Sequence, residues 1–363
     1  MKLVSGITDT SFIGKTSMKT LILFLVLFLC ALPSFAQRVD PFEGRVPGAE
    51  VEFSTFSIIA WDPATKELGV GVQSRAFSAG GAVPWAEAGV GAVATQAATN
   101  RTYGPKAIAL LKQGLSPAEV VKKITDDDPG RDTRQVAVID VQGRMAAYTG
   151  KRVIDRNYDP KDHVHIGGWA GAFPGKNYNV QGNTLASEEV LKAMAHAYET
   201  SEGEMAERLM NALDAGQSKG GDIRGMQSAG ILVVRPITDP NTTTDRYMDI
   251  RVDDSPNPFK ELRRVLNVRL SGQHTTKSND LSKQGKFSEA LAEAKKALEM
   301  NPANEQIHYI LSQRYIQVGE YLNALQALGE AIHMQPRLKM DVVEDPIFDK
   351  VKEFVEFKRL IGK

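Results

Sequence analysis

Six residues near the end of the chain recur at a spacing of 34: Gly285, Phe287, Ala290, Leu291, Ala297 and Pro302 return as Gly319, Tyr321, Ala324, Leu325, Ala331 and Pro336. A period of that length holds two helices and a turn, and one such unit cannot bury its apolar face alone, so this stretch must fold as stacked helix pairs. The alanines let neighbouring helices approach closely, and each proline closes a repeat. Two repeats are fewer than a free-standing stack needs. Asp345 to Ile361 is expected to supply a capping helix, and a helix beginning near Phe259 to dock at the other end.

Upstream the pattern changes from helical to alternating. Thr55 to Trp61, Leu68 to Ser74 and Val90 to Gln96 read as strands around a turn at Asp62 to Glu67 and a glycine-rich loop. Leu68, Val70 and Val72 alternate with Gly69, Gly71 and Gln73, which leaves one face of that strand nearly bare, with room for backbone or ligand to come close. Tyr103 to Gln113 and Ser116 to Thr125 have helical spacing, the second opening on Ser116, Pro117 and Glu119. Gln135 to Asp140 and Arg144 to Thr149 flank a hairpin turn, residues 151 to 176 look irregular, and Tyr178 to Thr184 is another strand. Helices are expected from Ser187 to Tyr198 and Glu204 to Gln217, then strands at Ala229 to Val234 and Arg246 to Val252. Strands first and last around paired helices predict an α+β domain of packed sheets covered by helices.

The formal net charge is zero, with 44 basic and 44 acidic residues, so there is no basic excess for nucleic acid. Met18 to Thr20, the apolar run Leu21 to Leu32 and Ser34-Phe35-Ala36 together read as a signal peptide with cleavage after Ala36, residues 1–17 forming an upstream extension. The expectation is a secreted or periplasmic protein with no permanent membrane span. Cys30 lies within that leader, so no thiol is expected in the mature chain. Residues 37–52 read as a linker or propeptide.

Taken together, the opening strand and the motifs QSR (73–75), VATQ (93–96), VQGN (180–183), GGDIRGMQS (220–228) and DDSPNPFKELRRVL (253–266) resemble the domain of unknown function 1028 family, placed in the N-terminal nucleophile (Ntn) hydrolase superfamily. The resemblance implies an Ntn-hydrolase-like αββα four-layer sandwich over 53–268. The repeats over 269–363 resemble tetratricopeptide repeats and imply an all-α module with a protein or peptide partner. In the first of them Lys277 and Ser278 stand where the pattern usually has leucine and a small residue. By analogy with Ntn folds, a homodimer is also implied.

Ntn chemistry needs a Thr, Ser or Cys at a free N-terminus, whose α-amine, of pKa about 7.7–8.0, takes the proton of its own side chain. Thr55 is the first candidate and Ser54 a competing terminus; either requires removal of the residues between Gln37 and that point. Read without the resemblance, Thr55 is equally a β-branched strand residue. No lysine lies between Lys66 and Lys106, so the usual helper is missing, and Arg75 supplies fixed positive charge instead, or a surface ion pair. Asp222 is expected to orient the amine and Arg224 to grip a carbonyl-bearing or acidic substrate, with Gly220, Gly221 and Gly225 offering N–H groups to an oxyanion. The same segment also reads as a tight turn. Ser74, Gln96, Asn183, Gln227 and Ser228 are strand-end polar groups suited to an amide substrate, or satisfied structural residues. His163 and His165 lack a third ligand, Asp126 to Asp128 read as a solvated turn, and no metal or cofactor is expected.

The sequence therefore points to hydrolysis of an amide in a small molecule or peptide. The alternatives are a non-catalytic ligand- or peptide-binding protein with the same cleft, and a scaffold in which the repeats do the work.

Overall fold

The computed structural model describes residues 55–155 and 168–362. The leader, the 37–52 segment, Ser54, His163 and His165 lie outside the described residues.

Two antiparallel sheets form the middle of the N-terminal region. One has the order β10-β9-β2-β1-β8-β7 and the other β3-β4-β5-β6. Their strands are β1 (Thr55–Trp61), β2 (Leu68–Ser74), β3 (Pro84–Glu87), β4 (Gly91–Ala97), β5 (Arg134–Asp140), β6 (Met145–Thr149), β7 (Trp169–Gly175), β8 (Tyr178–Leu185), β9 (Ser228–Val234) and β10 (Arg246–Val252). Helices α1 (Ala79–Ala82) and α4 (Lys151–Asp155) and strands β3 and β7 arise where the sequence reads as glycine-rich or irregular. All four are short or rich in small residues and proline, so they carry little periodicity of their own.

The two-residue alternation sorts side chains into layers. Phe56, Ile58 and Ala60 of β1 pack with α5 (Glu189–Thr200), α6 (Met205–Ser218) and the start of α7 (Pro258–Lys283). Ile59 and Trp61 face the second sheet, against Ala92, Ala94, Ala137 and Ile139. On the far side of that sheet Val93, Val136 and Val138 pack on α2 (Tyr103–Lys112) and α3 (Pro117–Asp126). The result is helix, sheet, sheet, helix. The bare face of β2 receives a helix: a Cβ at Gly69 would lie 2.7 Å from Leu209 Cδ1 of α6, and one at Gly71 would lie 3.3 Å from Leu213 Cδ1.

Helix α3 starts as its sequence requires, with the Ser116 hydroxyl accepting from Glu119 N and Glu119 bonding back to Ser116 N. Its far end differs from a solvated turn. Asp128 accepts from Asn100, Tyr103, Arg134 and Gly130 N. Burial pushes its carboxyl up, but those bonds outweigh it and hold the group well below the usual carboxylate range.

Helix α7 is continuous through positions 268 and 269. Its first half buries Phe259, Leu262 and Leu266 against the sandwich. Its second half packs on α8 (Phe287–Met300), and α9 (Glu305–Val318) packs on α10 (Tyr321–Met334). Gly285 and Gly319 end their helices at φ 76° and 85°, a left-handed conformation that glycine adopts without strain. The stack closes on α11 (Leu338–Glu344), a turn centred on Phe348, and α12 (Val355–Ile361). None of the described helices is long and apolar enough to cross a membrane.

The polar departures at 277 and 278 are satisfied. Ser278 donates to Ala290 O and accepts from Arg314 Nε, while Glu293, nearly buried on α8, accepts from His274, Lys277 and Lys296. Burial raises the Glu293 pKa, yet the three donors win and bring it down to about 2. A depressed folded-state pKa stabilises the fold fully above the unfolded value of about 4.3, and that contribution is lost as pH falls toward 2. Thermal melts should therefore show wild type above Glu293→Gln at pH 6, with the gap closing between pH 4.5 and 2. A gap of constant size across that range would remove this role from Glu293.

Candidate active site at the Thr55 end of the sheets

β1 lies between β2 and β8, and register sets Thr55 opposite Ser74 on one side and Asn183 on the other. Thr55, Ser57, Ile59 and Trp61 face the second sheet, so the space between the sheets is apolar at the Trp61 end and polar at the Thr55 end. Six polar side chains fill that polar end. Ser57 donates to Gln96 Oε1 at 2.6 Å, and Gln181 Nε2 donates to Ala94 O. Gln135 Oε1 accepts from Gln96 at 2.8 Å and from Asn183 at 2.9 Å, and its Nε2 bonds to Gly182 O at 2.9 Å. Gln96 and Asn183 also both donate to the Thr55 carbonyl, at 3.2 and 3.4 Å. An interior amide pays for its desolvation only through such bonds, so the network fixes the Thr55 backbone between the sheets.

The Thr55 hydroxyl lies 3.0 Å from that of Ser74. Thr55 is 2% exposed in the intact chain. Beyond Ser74 the rim is built by residues 220–228, which leave α6 and enter β9. Asp222, wholly buried, accepts from the Arg75 N–H at 3.1 Å and from Arg224 N at 2.8 Å, and it pairs with the Arg224 guanidinium at 3.1 Å. Arg75 Nη1 donates to Gln227 Oε1, and Gln227 Nε2 donates to Asp254. Ser228 is buried, accepting from Ala79 N and donating to Ala76 O.

The structure thus gathers Thr55, Ser74, Arg75, Asp222, Arg224 and Gln227 at one rim. It places Gln96 and Asn183 behind them in the interior network, and Ser228 under the 76–79 turn. The glycines do adopt the left-handed conformation, at φ 100°, 50° and 99° for 220, 221 and 225. Their N–H groups are spent within the turn, on Gln217 O, Gly216 O and Asp222 O. An oxyanion would need other donors, and the Ser74 hydroxyl is the one beside Thr55. Phe77 and Ile223, exposed on the loops that carry Arg75 and Arg224, add apolar surface to the rim.

Sequence reasoning missed Gln135 and Gln181. Each carried a signal, being polar on a strand face whose neighbours at i+2 are apolar or equally buried. Among the described residues no group of three or more His, Cys, Asp or Glu side chains converges where a metal could sit.

The sequence profile of a family of unknown function, DUF1028, matches residues 55–262. A crystal structure of a Silicibacter pomeroyi protein of that family is 30% identical, with a TM-score of 0.49, covering 59% of this chain and 84% of that one. No curated protein matches the chain.

Proposed function

The chain belongs to DUF1028, a family of unknown function, and on that premise we propose an exported amide-bond hydrolase of the Ntn type with Thr55 as nucleophile. The observation that carries the reading is the Thr55–Ser74 hydroxyl pair at 3.0 Å, on a backbone clamped from behind by Gln96 and Asn183 and next to the Arg75–Asp222–Arg224 cluster. Cleavage before Thr55 frees its α-amine. That amine takes the Oγ proton as Oγ attacks the amide carbon; the C–N bond breaks, the leaving nitrogen takes the proton, and water then hydrolyses the ester. Ser74 donates to the developing oxyanion, and Arg75, Arg224 and Gln227 hold the substrate's polar groups. Gln96 and Asn183 act as positioning residues and Asp222 fixes the arginine loop. The leader is removed after Ala36, the protein acts in the periplasm or outside the cell, and the helical stack serves as a tetratricopeptide module for a protein or peptide partner.

Intact-mass and N-terminal analysis of protein recovered from an exporting host tests this reading. A mature chain beginning at Thr55 is expected. A folded chain that persists from Gln37 has no catalytic amine, and the second reading then takes over: a non-catalytic binding protein, favoured by the burial of Thr55 and the internal use of the glycine N–H groups.

A further inference from the structure

A trough of about 900 Å³ opens at the opposite end of β1 from Thr55, roughly 20 Å away along the strand. Its walls come from the β1–β2 turn, the start of α6, the β9–β10 connection and α7. It runs on along α7 as a second hollow of about 480 Å³ that shares Glu204, Arg235, Tyr247, Gln273 and Lys277 with the first.

Tyr247 stands at the centre. Its hydroxyl donates to Glu204 Oε2 at 2.9 Å and accepts from Gln273 Nε2, so the ring is fixed at both partners. Two guanidinium groups lie against this one ring, Arg235 at 3.7 Å and Arg269 at 5.5 Å from its centroid. Among the described residues neither makes an ion pair with a carboxylate, although other arginines of this surface, such as Arg208 and Arg263, do. Glu67 on the trough floor feels the Arg235 charge without forming an ion pair with it: burial and the neighbouring Glu204 push its carboxyl up, while a hydrogen bond with Thr65 and the charge of Arg235 pull it down. Two like charges held together over one ring repel each other unless an anion joins them. Stacked guanidiniums are also stiff, with forks shaped for carboxylates.

We propose that this trough binds an extended acidic peptide, with two carboxylates at alternate positions engaging Arg235 and Arg269. The two forks lie no more than about 9 Å apart, and alternate side chains of an extended chain are about 7 Å apart on one side. The second hollow is lined from Arg269 to Gln284 along α7, about 22 Å of helix, which a small dicarboxylate would leave largely empty.

The test is titration of the full chain with a fluorescent Glu-Ala-Glu-Ala-Glu-Ala peptide. Saturable binding that weakens with salt is expected, reduced at least 10-fold in Arg269→Gln and further in the Arg235→Gln/Arg269→Gln pair, with unchanged melting because both side chains are exposed. Tyr247→Phe keeps the ring but loses its hydroxyl bonds, and a smaller loss is expected. Thr55→Ala should bind the peptide as wild type does, so failure of the hydrolase reading leaves this one standing. The proposal is overturned if the paired variant binds like wild type, if the Lys-Ala counterpart binds equally well, or if free glutamate or inorganic phosphate displaces the peptide at equal concentration.

Discussion

Under the proposed mechanism, a chain whose first residue is Thr55 should gain the mass of one β-lactone adduct on that threonine, and the same chain begun at Gln37 should gain none. The difference follows from the base. A threonine hydroxyl is a poor nucleophile by itself, and no lysine precedes Lys106 in the second, third or fourth strand to activate it; the proposed mechanism therefore assigns the proton to the α-amine, with its pKa near neutrality. Thr55→Ala has no hydroxyl to acylate and should carry no adduct at residue 55. Thr55→Ser should retain labelling. Ser74→Ala keeps the nucleophile but removes the hydroxyl 3.0 Å away, and a loss of about 10²–10³ is expected if that hydroxyl supports the oxyanion. Peptide mapping after digestion reads out all five chains. An adduct on the Gln37 form, or one carried by a hydroxyl other than Thr55, would sink the assignment.

The rim was legible where local chemistry dictated position. The strand ends at Ser74 and Val252 could be read because alternation breaks there at polar residues, and 220–228 because three glycines in nine residues announce a turn. What the residues around that turn do was not legible. Gly220, Gly221 and Gly225 offer N–H groups in the sequence, but only the folded loop shows them spent on Gln217, Gly216 and Asp222. Gln96 and Asn183 look like ligand-binding amides for the same reason: a polar side chain at a strand end has no visible partner until a second sheet is laid over it. That sheet's register is a tertiary quantity, since a shift of one residue turns every side chain to the other face. Strands β3 and β7 were missed on different grounds. Both are edge strands carrying proline, which edges tolerate and central strands do not, so they lack the β-branched signature of β1 or β9.

Gln135→Leu should be among the most destabilising single changes in the sandwich, although leucine nearly matches glutamine in volume. Gln135 is wholly buried, and its amide is the hub through which β4, β5, β6 and β8 exchange side-chain bonds. Removing it takes an acceptor from both Gln96 and Asn183 and a donor from Gly182 O, in a space with no water-facing side to relax into. Each unsatisfied group costs about 1–3 kcal/mol, partly recovered because Gln96 and Asn183 keep the Thr55 carbonyl. A net loss of about 3 kcal/mol corresponds to a fall in Tm of roughly 6–12 °C for a domain of this size. Thr149→Val, which removes a single partner of the same amide, should cost about 1 kcal/mol. The network also carries a functional consequence that melting alone does not test. Gln96 and Asn183 hold the Thr55 carbonyl, so slackening them lets the proposed nucleophile drift, and misplacement by about 1 Å can cost roughly 10²-fold in rate. The labelling rate of the Thr55-started Gln135→Leu chain should therefore fall at temperatures well below its Tm, whereas a Val136→Ala change on the opposite face of the same strand should lower Tm and leave that rate unchanged. Equal rates in both variants would confine Gln135 to stability.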